Sequence, residues 1–121
     1  MIKSKKVNTG LHIIGDIFTK DKKKLKSYNF FRKKISKVIK NNNLKKLGSI
    51  YHNFSDSGFT GIVSLAESHV AIHTWPEFDY LTLDVYICNY SKDNSKICRK
   101  VFEELSADFK PFKVKKRLIK R

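Results

Sequence analysis

Residues 66–77 read AESHVAIHTWPE, a segment with two histidines, a serine and two glutamates but no lysine, in a chain where lysine is otherwise crowded. Ser68 is a candidate nucleophile, although a serine after a glutamate between two strand-like runs is commonly just a turn residue. His69 and His73 stand four apart. On a helix that spacing can bring two imidazoles to one metal ion. Here Val70, Ala71 and Ile72 favour a strand, where positions four apart share a face but stand well separated. No carboxylate or cysteine completes a ligand set nearby, so no metal is expected. Ser68 and His73 are an odd number apart and point to opposite faces of a single flat strand. If they cooperate, the chain must bend at or near Ser68. Cys88, on the polar side of the next strand, can share that site or serve as a small buried hydrophobe.

The elements that would hold these residues are legible from periodicity. Residues 9–18 alternate as a strand with Leu11, Ile13 and Ile17 on one face. Over 21–40, Leu25, Tyr28, Phe31, Ile35 and Val38 recur at spacings of three and four, an amphipathic helix that Asp21 can cap and the asparagines at 41–43 end. Residues 46–54 read as a strand and SDSG at 55–58 as a turn. Two strand pieces, 59–66 and 69–75, meet near Glu67 and Ser68. Residues 80–88 alternate strictly, with Leu81, Leu83, Val85 and Ile87 against Tyr80, Thr82, Asp84, Tyr86 and Cys88. A second helix over 94–106 carries Ile97, Val101, Phe102 and Leu105 on its apolar face, with Cys98 assigned to the core beside them. A basic strand closes the chain over roughly 109–119. The order predicts an α+β two-layer sandwich, an antiparallel sheet with two helices packed on one face. The sheet's other face, rich in rings and polar groups, needs cover, and a homodimer through that face is expected.

Length and composition narrow the rest. A chain of 121 residues that is 40% hydrophobic suits one domain, 1–121, with one modest core. No apolar run approaches the roughly 20 residues that span a bilayer, and no secretory leader is read at the start. The expected setting is the cytoplasm, with both cysteines as free thiols. The absence of a Cys-x-x-Cys pair argues against a zinc knuckle or a thioredoxin-like site. The net charge of +15 comes from runs at Lys3–Lys6, Lys20–Lys26, Arg32–Lys46 and Lys110–Arg121. Lysine, not arginine, dominates them, whereas arginine is the better tool for phosphate and base edges. They read as solvated faces, and no nucleic-acid partner is expected.

The stretch LAESHVAIHTWPEFDYLTLDVYIC, 65–88, resembles the signature of the prokaryotic S-adenosylmethionine decarboxylases, self-cleaving proenzymes whose cofactor is a pyruvoyl group. The match lies in E-S-H-x-x-I-H-T-W-P-E and in a cysteine fifteen residues after the second histidine. Weaker likeness extends to GLHIIGDIF and YHNFSDSGFTGIV. The resemblance implies that Ser68 attacks the Glu67 carbonyl, that the resulting ester eliminates the Glu67 carboxylate, and that the residue left at position 68 hydrolyses to pyruvoyl and ammonia. The products would be a β chain, 1–67, and an α chain, 68–121. A serine hydroxyl is a poor nucleophile unless the peptide is strained and the oxyanion stabilised. By the same resemblance His73 is the base of the processing step and Thr60 assists it, where many relatives carry serine. The pyruvoyl carbonyl would form a Schiff base with the substrate amine, and Cys88 would be the proton donor after carbon dioxide leaves. Phe54 would stack on adenine and Glu77 would accept from the ribose hydroxyls. The implied product is the aminopropyl donor for spermidine. Two departures, Leu11 for a common arginine and Asp16 for glutamate, bear on substrate. Pyruvoyl-dependent decarboxylation of arginine or ornithine is the alternative reading, and a basic binding protein on a dead enzyme scaffold is a third.

Overall fold

The computed structural model describes residues 8–89 and 92–121. The Lys3–Lys6 run lies outside the described residues. Strand β1 (Gly10–Phe18) is followed by helices α1 (Lys22–Lys26) and α2 (Tyr28–Asn41). Strands β2 (Lys46–Asn53), β3 (Phe59–Leu65) and β4 (Ser68–Trp75) come next, then a 3-10 turn (Pro76–Phe78). Strand β5 (Tyr80–Cys88), helix α3 (Ser95–Ala107) and strand β6 (Lys113–Lys120) complete the chain. The six strands form one antiparallel sheet in the order β2-β3-β4-β5-β1-β6.

The alternation read in β1 and β5 is the burial pattern observed. Leu11, Ile13 and Ile17 of β1 and Leu81, Leu83, Val85 and Ile87 of β5 are buried beneath the helices. Phe31, Ile35, Val38 and Ile39 of α2 and Cys98, Val101, Phe102 and Leu105 of α3 meet them from above. Gly15 permits the closest approach of these layers. A Cβ there would stand 2.4 Å from the Phe102 ring, so the phenylalanine lies directly on the β1 backbone. Cys98 is buried in this core, and desolvation pushes its thiol up to about 11.

The expected helix over 21–40 is two helices. Asp21 caps the first, accepting from the Lys24 N–H. Ser27 is extended (φ −136°, ψ 142°), and its hydroxyl accepts from the Asn29 N–H at 3.3 Å. The Asn53 side chain of β2 accepts the Tyr28 N–H at 3.0 Å. Serine competes well for a cap and poorly for a helix interior, and a distant strand tips that balance. The closing strand also begins later than its composition indicates. Phe109 is buried and Lys110 takes a left-handed φ of 49°, so the chain turns back before pairing resumes at Lys113. Among the described residues no helix is long and apolar enough to cross a membrane.

Candidate active site

Strands β3 and β4 form a hairpin whose connection is Ala66 and Glu67, with Leu65 opposite Ser68. Glu67 has φ 70°. Two-residue hairpins usually place glycine or asparagine at a left-handed position. A residue with a Cβ there costs roughly 1 kcal/mol or more. The strained residue therefore carries the carbonyl that Ser68 would attack. The Ser68 hydroxyl accepts the Cys88 N–H at 3.2 Å, so Glu67, Ser68 and Cys88 share one end of the sheet.

His73 does not join them. Strand β4 keeps unbroken register with β5, from Ser68 opposite Ile87 to Trp75 opposite Tyr80. The bend expected at Ser68 is confined to the preceding two-residue turn, and the strand itself is straight. Five residues at about 3.3 Å each separate Ser68 from His73 by roughly 16 Å. His73 occupies a row across the open face, with Thr60 on one side and Thr82 on the other, and Asp16 beyond. Its Nδ1 is 2.6 Å from the Thr60 hydroxyl oxygen, which is 3.5 Å from the Ile72 carbonyl. With the proton on Nδ1 donated to Thr60, and the Thr60 hydroxyl donating to Ile72, Nε2 is left as a free base.

Phe54 and Glu77 gather at this second end. Phe54 is 49% exposed, not a core phenylalanine, and the His52 ring stands edge-on to it at 4.7 Å. A cavity of about 420 Å³ lies between Phe54, Pro76 and Glu77, and one of about 350 Å³ between Phe54, Thr60, His73 and Trp75. Phe54 and Ser57 line both. The Glu77 carboxylate accepts from the Ser57 hydroxyl at 2.9 Å. The candidate residues thus form two groups at opposite ends of β4.

The family model for S-adenosylmethionine decarboxylase matches residues 11–121. The chain belongs to that family. A Thermoplasma volcanium S-adenosylmethionine decarboxylase proenzyme is 38% identical over 96% of this chain and 86% of its own length. An Archaeoglobus fulgidus proenzyme of the same name is 38% identical over 84% of this chain and 88% of its own. The crystal structure of the adenosylmethionine decarboxylase from Aquifex aeolicus superposes with a TM-score of 0.84 at 31% identity, covering 96% of this chain and 92% of that one.

Several residues that support this decarboxylase-family site carry no local sign in the sequence. Thr74 is buried at the end of β4, donating to the Leu25 carbonyl at 2.6 Å and accepting the Phe59 N–H at 2.8 Å. It fixes the strand ends that carry Thr60 and His73. Its one trace in the sequence is a polar residue in phase with Val70 and Ile72. Asp79, at φ 52°, ties the 3-10 turn down through Lys20 (2.9 Å) and Lys22 (2.8 Å). Hydrogen bonds from Lys22 and Lys20 hold its carboxyl below the usual carboxylate range. Lys22 also donates to the Pro76 carbonyl at 2.7 Å, so of the two lysines bordering the Glu77 cavity, Lys22 and Lys26, the first is already partnered. Burial and the Asp16 carboxylate push the Tyr80 hydroxyl up to about 12. His12, 4.0 Å from Asp84, is held below its ordinary value because desolvation outweighs that carboxylate.

Proposed function

We propose that this chain is a self-processing, pyruvoyl-dependent S-adenosylmethionine decarboxylase whose active sites are each built from two copies of the chain. The observation that carries the reading is the Glu67–Ser68 hairpin. A positive-φ residue precedes a serine whose hydroxyl already touches the strand end bearing Cys88. Cleavage between Glu67 and Ser68 yields the β chain 1–67 and the α chain 68–121. When present at position 68, a pyruvoyl group supplies the carbonyl that takes the substrate amine and accepts the electrons released with carbon dioxide. Cys88 supplies the proton to the product carbon. A thiol S–H is a proton that can be handed on directly to a carbanion within hydrogen-bond reach.

His73 takes the Ser68 α-proton during processing, with Thr60 holding its Nδ1 side. At roughly 16 Å it cannot do so within one chain, since proton transfer needs hydrogen-bond reach. A second copy, laid open face to open face with strands reversed, brings Phe54, Thr60, His73 and Glu77 of one chain to the Ser68 end of the other, twice. The exposed pair Ile50 (76%) and Ile62 (51%), opposite each other on β2 and β3, gives that face apolar surface to bury. Phe54 stacks on adenine and Glu77 accepts from the ribose. An arginine or ornithine substrate would need neither. The enzyme acts in the cytoplasm and supplies decarboxylated S-adenosylmethionine as the aminopropyl donor for spermidine.

Intact mass measurement tests processing, with two fragments expected from the wild type and one chain from Ser68→Ala. Carbon dioxide release from carboxyl-labelled S-adenosylmethionine, arginine and ornithine tests the substrate. Cys88→Ala should cleave normally and release carbon dioxide poorly. Release from arginine or ornithine alone would overturn the substrate and leave the processing chemistry standing.

A further inference from the structure

Strand β5 presents Asp84, Tyr86 and Cys88 on the open face. The Tyr86 hydroxyl oxygen lies 3.7 Å from the Cys88 sulfur and 2.8 Å from the Thr9 hydroxyl oxygen. A phenol has one proton. Donated to Thr9, it leaves the phenol oxygen free to accept the Cys88 S–H. The Thr9 end of this chain of hydrogen bonds is anchored through its backbone. The Thr9 N–H donates to the Arg121 carbonyl at 2.8 Å, and the Thr9 carbonyl accepts the Asn89 N–H at 2.8 Å. The tyrosine ring stands 5.7 Å from the His69 ring and 5.8 Å from the His12 ring, tilted against one and edge-on to the other.

We propose that Tyr86 is a positioning residue for Cys88, accepting its thiol hydrogen so that the sulfur stays protonated and aimed. The proposal rests on the reading of Cys88 as proton donor. A thiolate cannot donate, and a hydrogen bond made to the neutral form disfavours ionisation. Among the described residues, the other titratable and charged groups around Tyr86 and Cys88 include Glu67 in the β3–β4 turn, His69 on β4, His12 on β1, Asp84 on β5 and Arg121 after β6. All remain when the phenol oxygen alone is removed. Tyr86→Phe keeps the ring against both histidines.

The test uses the Ser68→Ala protein, which keeps the chain whole and separates the thiol from turnover. Alkylation of Cys88 by iodoacetamide is followed against pH by mass spectrometry, with and without Tyr86→Phe. The ionisation midpoint should fall by about half a unit to one unit, the effect of one weak hydrogen bond. Cys98, whose sulfur sits 3.2 Å from the Leu11 carbonyl in the core, is the internal control and should not change. In processed enzyme the alkaline limb of the rate profile should move down by the same amount. A Cys88 midpoint that is unchanged or raised by Tyr86→Phe overturns the proposal, a raised one because it means that the phenol donates to the thiolate. Normal turnover by Cys88→Ala would instead overturn the proton-donor reading, whatever the alkylation midpoint shows.

Discussion

Two inactive variants should restore each other if the site is shared between chains. Ser68→Ala retains His73 but has nothing to process, and His73→Ala retains Ser68 but lacks its base. The straight register of β4 places these residues five positions apart on one strand, roughly 16 Å, against about 3 Å for direct proton transfer. In a mixed dimer, one site combines intact Ser68 with intact His73 from the other chain, and the second site has neither. Random pairing of equal amounts puts half of the His73→Ala chains opposite an intact His73. Co-expression with distinct tags, followed by denaturing gels, should therefore show about half of the His73→Ala chains cleaved and none of the Ser68→Ala chains. The lone His73→Ala protein should stay whole over the same period. No cleavage in verified mixed dimers would refute the shared site and require a rearrangement of β4 within one chain.

Phe54→Ala should raise the KM for S-adenosylmethionine by a factor corresponding to roughly 1–3 kcal/mol, as for other base–aromatic stacks, and leave self-cleavage intact on gels. Thr60→Val removes the partner of His73 Nδ1 and should slow processing by roughly ten- to hundredfold, the range for a hydrogen bond to a group that becomes charged; Thr60→Ser should restore it in a cleavage time course. His12 has a folded pKa below its ordinary 6.5. The unfolded chain therefore binds its proton more readily, and stability falls as pH drops from about 6.5 through the folded value. His12→Gln should remove a slope of at most about 1.4 kcal/mol per pH unit in that window, read from denaturant melts against pH.

Much of this molecule follows from local pattern. Strict alternation in 80–88 assigned each side chain of β5 to its face, because the strand period of two leaves no other choice when one face is buried. Cys98 went to the core by helical spacing and Cys88 to the open face by strand parity. The odd spacing of Ser68 and His73 already stated that one flat strand holds them apart. Tertiary structure decided what parity could not. Whether β4 bends depends on pairing with β3 and β5 along its whole length, and that pairing keeps it straight. The break at Ser27 depends on Asn53, which lies on another element. The Ser57 hydroxyl reaches Glu77 across twenty residues, and Thr74 reaches Leu25 across forty-nine. These contacts set where Phe54, Thr60, His73 and Glu77 gather. Sequence periodicity reports which face a residue occupies because that is a property of the local backbone. It does not report which end of the sheet meets which, because that follows from strand order and from long-range hydrogen bonds between segments that carry no mark of each other.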